Sequence, residues 1–402
     1  MRMLIAGNGV AGITAGRTLA EEKKFEIEIY SDESYHFYYR PRLLEVVSGK
    51  SSPADVLAYP GSWYSDKGID VRLSTSVSGL DTKNKRIVVQ DGERVRYDKV
   101  LLAIGGEAFV PRILGFGKPG TFVLRSMSDA IAINKYARTS ASATVIGGGL
   151  LGLESAAALR TLSLRVTVIE IFPRLLPKQL DEQGSMILKK ILEQKDIDIV
   201  LGASVQSILG DQAVTGVRTG DGRNIEGELV LVSTGVRSKK NLAEAAGISV
   251  NKGVIIDSSL RTSAPSVYAA GDVAEFNGQV WGVIPAAMEQ GRLAALNMME
   301  KDATAYRGTV PYTTLKVAGI DLTSVGEVNP QEPGYEELRK PEPEAGVYKK
   351  LVLKDGRAVG AIVLGKKKYA VNISAAVKRR AKVGAHRKRI LDDDFDFGSL
   401  LE

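Results

Sequence analysis

One short pattern occurs twice in this chain, and each occurrence limits what the residues around it can become. Residues 3–12 read MLIAGNGVAG and residues 144–154 read TVIGGGLLGLE: an apolar run, then G-x-G-x-x-G, then a helix-forming stretch. The first glycine permits a tight turn, the second lets backbone approach a pyrophosphate, and the third lets a helix pack against a strand. Phosphate charge then meets the free N–H groups at the helix N-terminus. About 20 residues beyond each loop comes a β-rich run, FEIEIY at 25–30 and RVTVIE at 165–170. Both loops therefore sit in βαβ units. The candidate phosphate-binding residues are Gly7, Gly9, Val10, Ala11 and Gly12 in the first, and Gly147, Gly149, Leu150, Leu151 and Gly152 in the second.

The rest of the composition narrows the chemistry. At 402 residues, a prior of roughly 150 per domain gives two to three domains. With 44% hydrophobic and 25% charged residues the chain reads as soluble and globular. No apolar run reaches the length of about 18 needed to cross a membrane, and the apolar N-terminus is better explained as strand plus phosphate loop than as a leader. The expected location is cytoplasmic. There is no cysteine, which removes disulfides, thiolate metal sites and redox-active thiols, and the two histidines, His36 and His386, share no ligand-like spacing. No metal site and no side-chain nucleophile or acid–base catalyst is expected, so the chemistry must come from a bound cofactor.

A net charge of +7 raises the question of nucleic acid, but no module of interleaved basic and aromatic residues is present. The densest basic run, from Lys378 to Arg389, is followed at once by the acidic stretch from Asp392 to Asp396. It reads as a solvated face or subunit contact, or as a docking surface for an acidic protein.

The two loops differ at the acid expected about 20 residues on. The second unit ends its second strand at Glu170, which can accept hydrogen bonds from both ribose hydroxyls of NAD. A 2′-phosphate would stand about 4 Å from it, a repulsion of up to roughly 4 kcal/mol at an effective dielectric near 20, so NADH is preferred over NADPH. Arg174, just behind Pro173, either softens that discrimination or is surface decoration. In the first unit either Asp32 or Glu33 can reach a ribose. Strands running into glycine follow at 100–106, VLLAIGG, and at 229–235, LVLVSTG, giving Gly105 and Gly235. A third, SVYAAGD at 266–272, ends in Gly271 and Asp272.

Two G-x-G-x-x-G units, two strand–glycine junctions and a late YAAGD, in this order over residues 1 to about 300, resemble the FAD-dependent pyridine nucleotide oxidoreductases. YRP at 39–41 with the Gly61–Tyr64 and Gly68–Ile69 stretches is similar to the rubredoxin reductase and nitrite reductase flavin-domain branch. The resemblance implies FAD on the first loop and NADH on the second. It also implies that Arg40, Pro41 and Arg125 line the FAD, that Val77 meets its adenine end through backbone, and that Asp272 holds the ribityl chain. The following helix, with Pro285 at its start, would aim its positive dipole end at the flavin N1–C2=O edge. Some ferredoxin-coupled relatives place a lysine after the Arg–Pro pair, facing an acid after the second loop. Here Leu44–Glu45–Val46 stands in that place, and Glu154 either gates nicotinamide entry or caps local polar groups. Thiol-relay members need cysteines that this chain lacks.

After Pro311 the pattern turns to short alternating strands at 314–317, 321–326, 348–353 and 358–364, with a hairpin turn at Asp355–Gly356 and loop-like Pro-rich stretches at 330–334 and 340–343. The expected fold is α/β: an FAD-binding domain at 1–112 and 236–308, an NADH-binding domain at 113–235, and a small α+β C-terminal domain at 309–402 with a basic tail. The resemblance implies a non-disulfide NADH-dependent flavoprotein oxidoreductase passing electrons to a small acidic carrier such as rubredoxin, with a homodimer as a further expectation. The rivals are a peroxide-forming NADH oxidase and a flavin- and NADH-binding subunit for redox sensing or complex assembly.

Overall fold

A computed structural model describes residues 1–300, 305–309, 312–317 and 319–400. Pro311, where the sequence changes character, and the last two residues lie outside them. The chain divides into two compact units, one of Met1–Phe109, Arg125–Ile131 and Val236–Thr309, the other of Val110–Leu124, Ala132–Gly235 and Val310–Glu402. Among the described residues no helix is long and apolar enough to cross a membrane, and no cluster of three or more metal-ligating side chains is found.

The first unit is built on a five-stranded sheet ordered Val267–Ala269, Lys99–Leu102, Arg2–Ala6, Glu26–Tyr30 and Ile69–Arg72, parallel throughout. Its strands Val267–Ala269, Lys99–Leu102 and Arg2–Ala6 are apolar along almost their whole length, as a parallel sheet covered on both faces requires, while Glu26–Tyr30 and Ile69–Arg72 towards the other edge alternate apolar with charged residues. Helices Val10–Ala20 and Ile284–Met298 pack on each other. Gly291 makes that approach possible: a Cβ there would lie 2.4 Å from the Ala11 carbonyl oxygen. A three-stranded antiparallel sheet, Val77–Asp81, Arg86–Val89 and Arg94–Arg96, supplies Ile87, Val89 and Val95 to the same core, completing three layers.

The second unit repeats the plan. Its parallel sheet runs Ile197–Leu201, Arg165–Glu170, Ser142–Ile146, Leu229–Val232 and Thr121–Phe122, beside an antiparallel layer of Val205–Leu209, Gly216–Thr219 and Asn224–Glu226. A further antiparallel sheet, ordered Tyr312–Val317, Ile320–Gly326, Arg357–Leu364, Val347–Lys354 and Tyr335–Glu342, carries helix Lys367–Lys378 on its own apolar core.

One of these strands contradicts the sequence reading: residues 340–342 are not loop but the end of strand Tyr335–Glu342, with Pro341 paired to Tyr348. Its place at the sheet edge explains both the proline and the run of charges, which an edge strand tolerates. The acidic stretch likewise folds back as structure. Asp393 bonds Lys366 at 2.8 Å and also Lys349, whose ammonium is fully buried, donates to the Leu391 carbonyl at 2.8 Å and lies over the Tyr369 ring. Asp392 takes Lys340 at 2.8 Å, and Asp394 pairs with Arg389 at 3.2 Å.

Asp181 fastens the C-terminal sheet to helix Glu182–Glu193. One carboxylate oxygen caps that helix by accepting from the Gly184 N–H at 3.0 Å; the other accepts from Tyr348 at 2.6 Å and faces buried Lys350 at 3.2 Å and Arg339 at 3.3 Å. Burial disfavours the charged carboxylate, but the Tyr348 and Gly184 hydrogen bonds and the Lys350 charge outweigh it and hold Asp181 below its ordinary value. An acid whose folded value is depressed stabilises the fold above its unfolded value and loses that contribution as pH falls. Asp181→Ala is therefore expected to cost roughly 2 kcal/mol at pH 7, from the lost cap and the lost Tyr348 hydrogen bond, Lys350 keeping Glu337 at 3.0 Å as its partner. Denaturation followed by circular dichroism should show the wild-type advantage shrinking below pH 3.8.

Candidate functional site

In the first unit the loop geometry follows from the glycines. Gly7 sits at φ +111°, where a Cβ would lie 2.2 Å from the Ala103 carbonyl oxygen, and its N–H donates to the Tyr30 carbonyl at 2.8 Å. A Cβ on Gly12 would lie 1.9 Å from the Gly7 carbonyl oxygen, so only glycine lets the helix start this close to the strand. Gly9 is the extended cap of helix Val10–Ala20, leaving the N–H groups of Val10, Ala11 and Gly12 without intrahelical partners.

Around this loop the structure gathers several residues singled out in the sequence. Arg40 and Pro41 open a short 3₁₀ turn, and the Arg40 guanidinium lies 3.5 Å from the Cβ position of Gly9. It donates to the Arg125 carbonyl at 3.0 Å and faces Glu33 at 3.4 Å. Arg125 in turn donates to the Gly106 carbonyl at 2.9 Å and pairs with Asp272 at 2.8 Å, its guanidinium 3.6 Å from the Cβ position of Gly105. Burial, then the neighbouring Arg40 charge, pulls Arg125 below the usual arginine value. The Gly271 N–H donates to buried Gln290 at 2.8 Å, which ties the Gly–Asp turn to the helix that Ile284 and Pro285 begin.

Of the two candidate acids at the end of the second strand, Asp32 is exposed and paired with Lys239 at 3.1 Å. Glu33 faces inward, accepting from the Met127 N–H at 3.1 Å and from the Tyr38 hydroxyl. Val77 opens the antiparallel layer, half-buried against the core. Sequence reasoning missed Tyr38, Gln290, Ser238 and Asp129. Ser238 donates to the Asp272 carbonyl at 2.6 Å, and Asp129 accepts from the Arg125 and Ser126 N–H groups at 2.9 and 2.8 Å. Tyr38 alone carried a signal, two residues before Arg40 in an aromatic run.

The second unit holds the same loop. Gly147 sits at φ +118° with its N–H on the Ile169 carbonyl at 2.8 Å, and a Cβ on Gly152 would lie 2.0 Å from the Gly147 carbonyl oxygen. Gly149 caps helix Leu150–Arg160 in extended conformation, and a Cβ on it would meet nothing within 4 Å: space stands open above the loop. Buried Glu170 accepts from the Gly148 N–H at 2.6 Å and from the Phe172 N–H at 2.9 Å. Each carboxylate oxygen keeps a free lone pair. Arg174 is turned to the Pro177 carbonyl at 3.3 Å. Gly235, at φ +121°, follows strand Leu229–Val232. Glu154, half-buried on the helix of the loop, makes no hydrogen bond or ion pair with the described residues, and burial pushes its carboxyl up to about 7.

Two such loops in two repeated units find their counterpart among known proteins. Residues 1–291 match the pyridine nucleotide-disulphide oxidoreductase family, and residues 311–381 match the rubredoxin NAD+ reductase C-terminal domain. The chain is 32% identical over 390 residues to an NAD(P)H nitrite reductase of Bacillus subtilis, covering 96% of itself but only 48% of that relative, so it spans about half of the longer protein. It is 30% identical to an NADH-rubredoxin oxidoreductase of Clostridium acetobutylicum, covering 94% of both chains. The fold is shared with the reductase of a covalent putidaredoxin reductase–putidaredoxin complex, with a TM-score of 0.89 at 23% identity over 100% of this chain and 98% of the other. The chain belongs to the pyridine nucleotide-disulphide oxidoreductase family, and its C-terminal part is of the rubredoxin reductase type.

Proposed function

We propose that the chain is an NADH-dependent flavoprotein oxidoreductase that holds FAD on the first loop, admits NADH on the second, and passes electrons to a small acidic carrier protein of the rubredoxin kind. The observation that carries this reading is the pair of glycine cradles with matching backbone geometry, of which only the second has a carboxylate fixed against the loop. The matching division of labour is an FAD domain at 1–112 and 236–308, an NADH domain at 113–235 and a C-terminal domain at 309–402.

The residues present fit both nucleotides. Each loop is a cradle that a Cβ would close at its first and third glycines, and the free N–H groups of the two helices suit a pyrophosphate. FAD would rest on Gly7, Gly9, Val10, Ala11 and Gly12, with Arg40, Pro41, Arg125, Gly105, Gly271, Asp272, Pro285, Val77 and either Asp32 or Glu33 around it. NADH would rest on Gly147, Gly149, Leu150, Leu151 and Gly152, with Glu170, Gly235 and Glu154. FAD, when bound, supplies hydride acceptance at N5 from nicotinamide C4 and onward electron transfer. The protein's part is to orient and to set charge. Arg125, pinned by Gly106 and Asp272, fixes a cation beside the first loop. The helix begun by Ile284 and Pro285 presents its positive dipole end. No side chain is required to move a proton or form a bond.

The relative named for rubredoxin reduction, matched over 94% of both chains, supports the carrier as acceptor, and so does the net charge of +7. The half-length match to nitrite reductase supports a second reading, a flavin- and NADH-binding module that works inside a larger assembly.

NADH turnover by the holoprotein, with rubredoxin or dioxygen as acceptor and peroxide measured alongside, separates these readings. The expected result is rubredoxin reduction faster than peroxide formation, slowing as salt screens the encounter. Peroxide formed in step with NADH loss would make the protein an oxidase, and negligible turnover with both would favour the module.

Glu154 gives a separate test by pH. Its folded value of about 7 lies above the ordinary 4.5, so as pH rises from 4.5 to 7 the unfolded chain releases a proton that the folded chain keeps. Folding weakens across that window and levels off above it. Glu154→Gln should melt with the wild type at pH 4.5 and increasingly above it towards pH 8, as thermal unfolding at each pH would show.

A further inference from the structure

The two loops correspond bond for bond. The Gly7 N–H donates to Tyr30 and the Gly147 N–H to Ile169, each at 2.8 Å, so Ser31 stands in the first unit where Glu170 stands in the second. The neighbouring bonds agree. The Thr75 N–H meets the Ser31 carbonyl at 2.7 Å, and the Ala203 N–H meets that of Glu170 at 3.1 Å. The Glu33 N–H donates to the Ser31 hydroxyl at 3.3 Å, and the Phe172 N–H donates to the Glu170 carboxylate at 2.9 Å. Between the first two glycines of each motif the sizes are exchanged: Asn8 shares its loop with small Ser31, and Gly148 shares its loop with long Glu170.

The reason for the exchange is space. A Cβ on Gly148 would lie 2.8 Å from the Leu175 side chain, 3.0 Å from Glu170 Cβ and 3.1 Å from Glu170 Oε2. Leu175 is fully buried, so its side chain has only the surrounding core to move into. The backbone of Gly148 is outside the left-handed region, so what opposes alanine there is its neighbours and not conformation. A side chain at 148 therefore competes with the Glu170 carboxylate for the space in which its 2.6 Å bond from the Gly148 N–H is made.

We propose that Gly148 determines nucleotide specificity as a positioning residue: its missing side chain lets the Glu170 carboxylate lock onto the loop, in the one place where it selects a free ribose 2′-hydroxyl over a 2′-phosphate. This rests on the reading that Glu170 selects NADH. The position between the paired glycines is thus a partner of the acid and not a neutral spacer.

The test is the steady-state kinetics of the holoprotein with ferricyanide as acceptor, NADH and NADPH being compared for wild type, Gly148→Ala, Glu170→Ser and the first-loop pair Gly148→Asn/Glu170→Ser. Gly148→Ala should raise KM for NADH about tenfold or more, the loss of a charged hydrogen bond, while leaving kcat at saturation and KM for NADPH nearly unchanged. The ratio of kcat/KM for NADH over NADPH should then approach that of Glu170→Ser. The pair should match Glu170→Ser with no added loss, because serine leaves room for the new side chain. A wild-type ratio in Gly148→Ala, with a collapsed ratio in Glu170→Ser, would overturn the proposal and spare the role of Glu170. An unchanged ratio in Glu170→Ser would overturn that role and the proposal with it. If Gly148→Ala does not fold, the pair decides: NADH efficiency well below that of Glu170→Ser would overturn the coupling.

Discussion

The structure depends on a close approach that one atom would forbid. In each unit the third glycine of the motif brings its Cα so near the carbonyl of the first that a Cβ would fall 1.9 or 2.0 Å from that oxygen. This contact sets the angle at which helix leaves strand, and so the direction of the free N–H groups at the helix start. The parallel sheets, the second strand with its acid and the helix packed behind all take their positions from it. In the first unit the helix Ile284–Met298 repeats the device, with Gly291 against the Ala11 backbone.

Two copies of one backbone solution then diverge through side chains. The first loop is surrounded by a chain of fixed charges, Glu33 to Arg40, Arg40 to the Arg125 carbonyl, and Arg125 to Asp272. The second has a single carboxylate bonded to its own loop and open room above Gly149. A permanently seated cofactor suits the first environment, where many polar contacts are made ready. A nucleotide that must arrive and leave suits the second, where little besides a ribose contact is prepared.

Much of this was legible in the sequence because it is written in local pattern. The loops, the strands after them and the strand–glycine junctions follow from glycine spacing and apolar runs, whereas Arg40, 3.5 Å from the Cβ position of Gly9, was singled out by resemblance and not by pattern. What escaped is long-range or masked by composition. Strand Tyr335–Glu342 tolerates a proline and a run of charges because it is an edge, and its end at 340–342 reads as loop. The hydrogen bond between Gly271 and Gln290, and the Asp181 tie to Tyr348 and Lys350, join residues far apart in the chain with no periodicity to announce them. The acidic stretch at 392–394 gives no periodic signal in the sequence, yet it pairs with fully buried Lys349 and with the more exposed Lys340 and Lys366.

The claim on which the rest stands is that the two loops serve two different nucleotides that exchange electrons. An anaerobic titration of the purified holoprotein with NADH, followed by its visible spectrum, tests this most directly. The account predicts a yellow flavin absorbance that bleaches with a stoichiometric amount of NADH and resists NADPH. A colourless protein, or a yellow one that neither nucleotide bleaches, would contradict it.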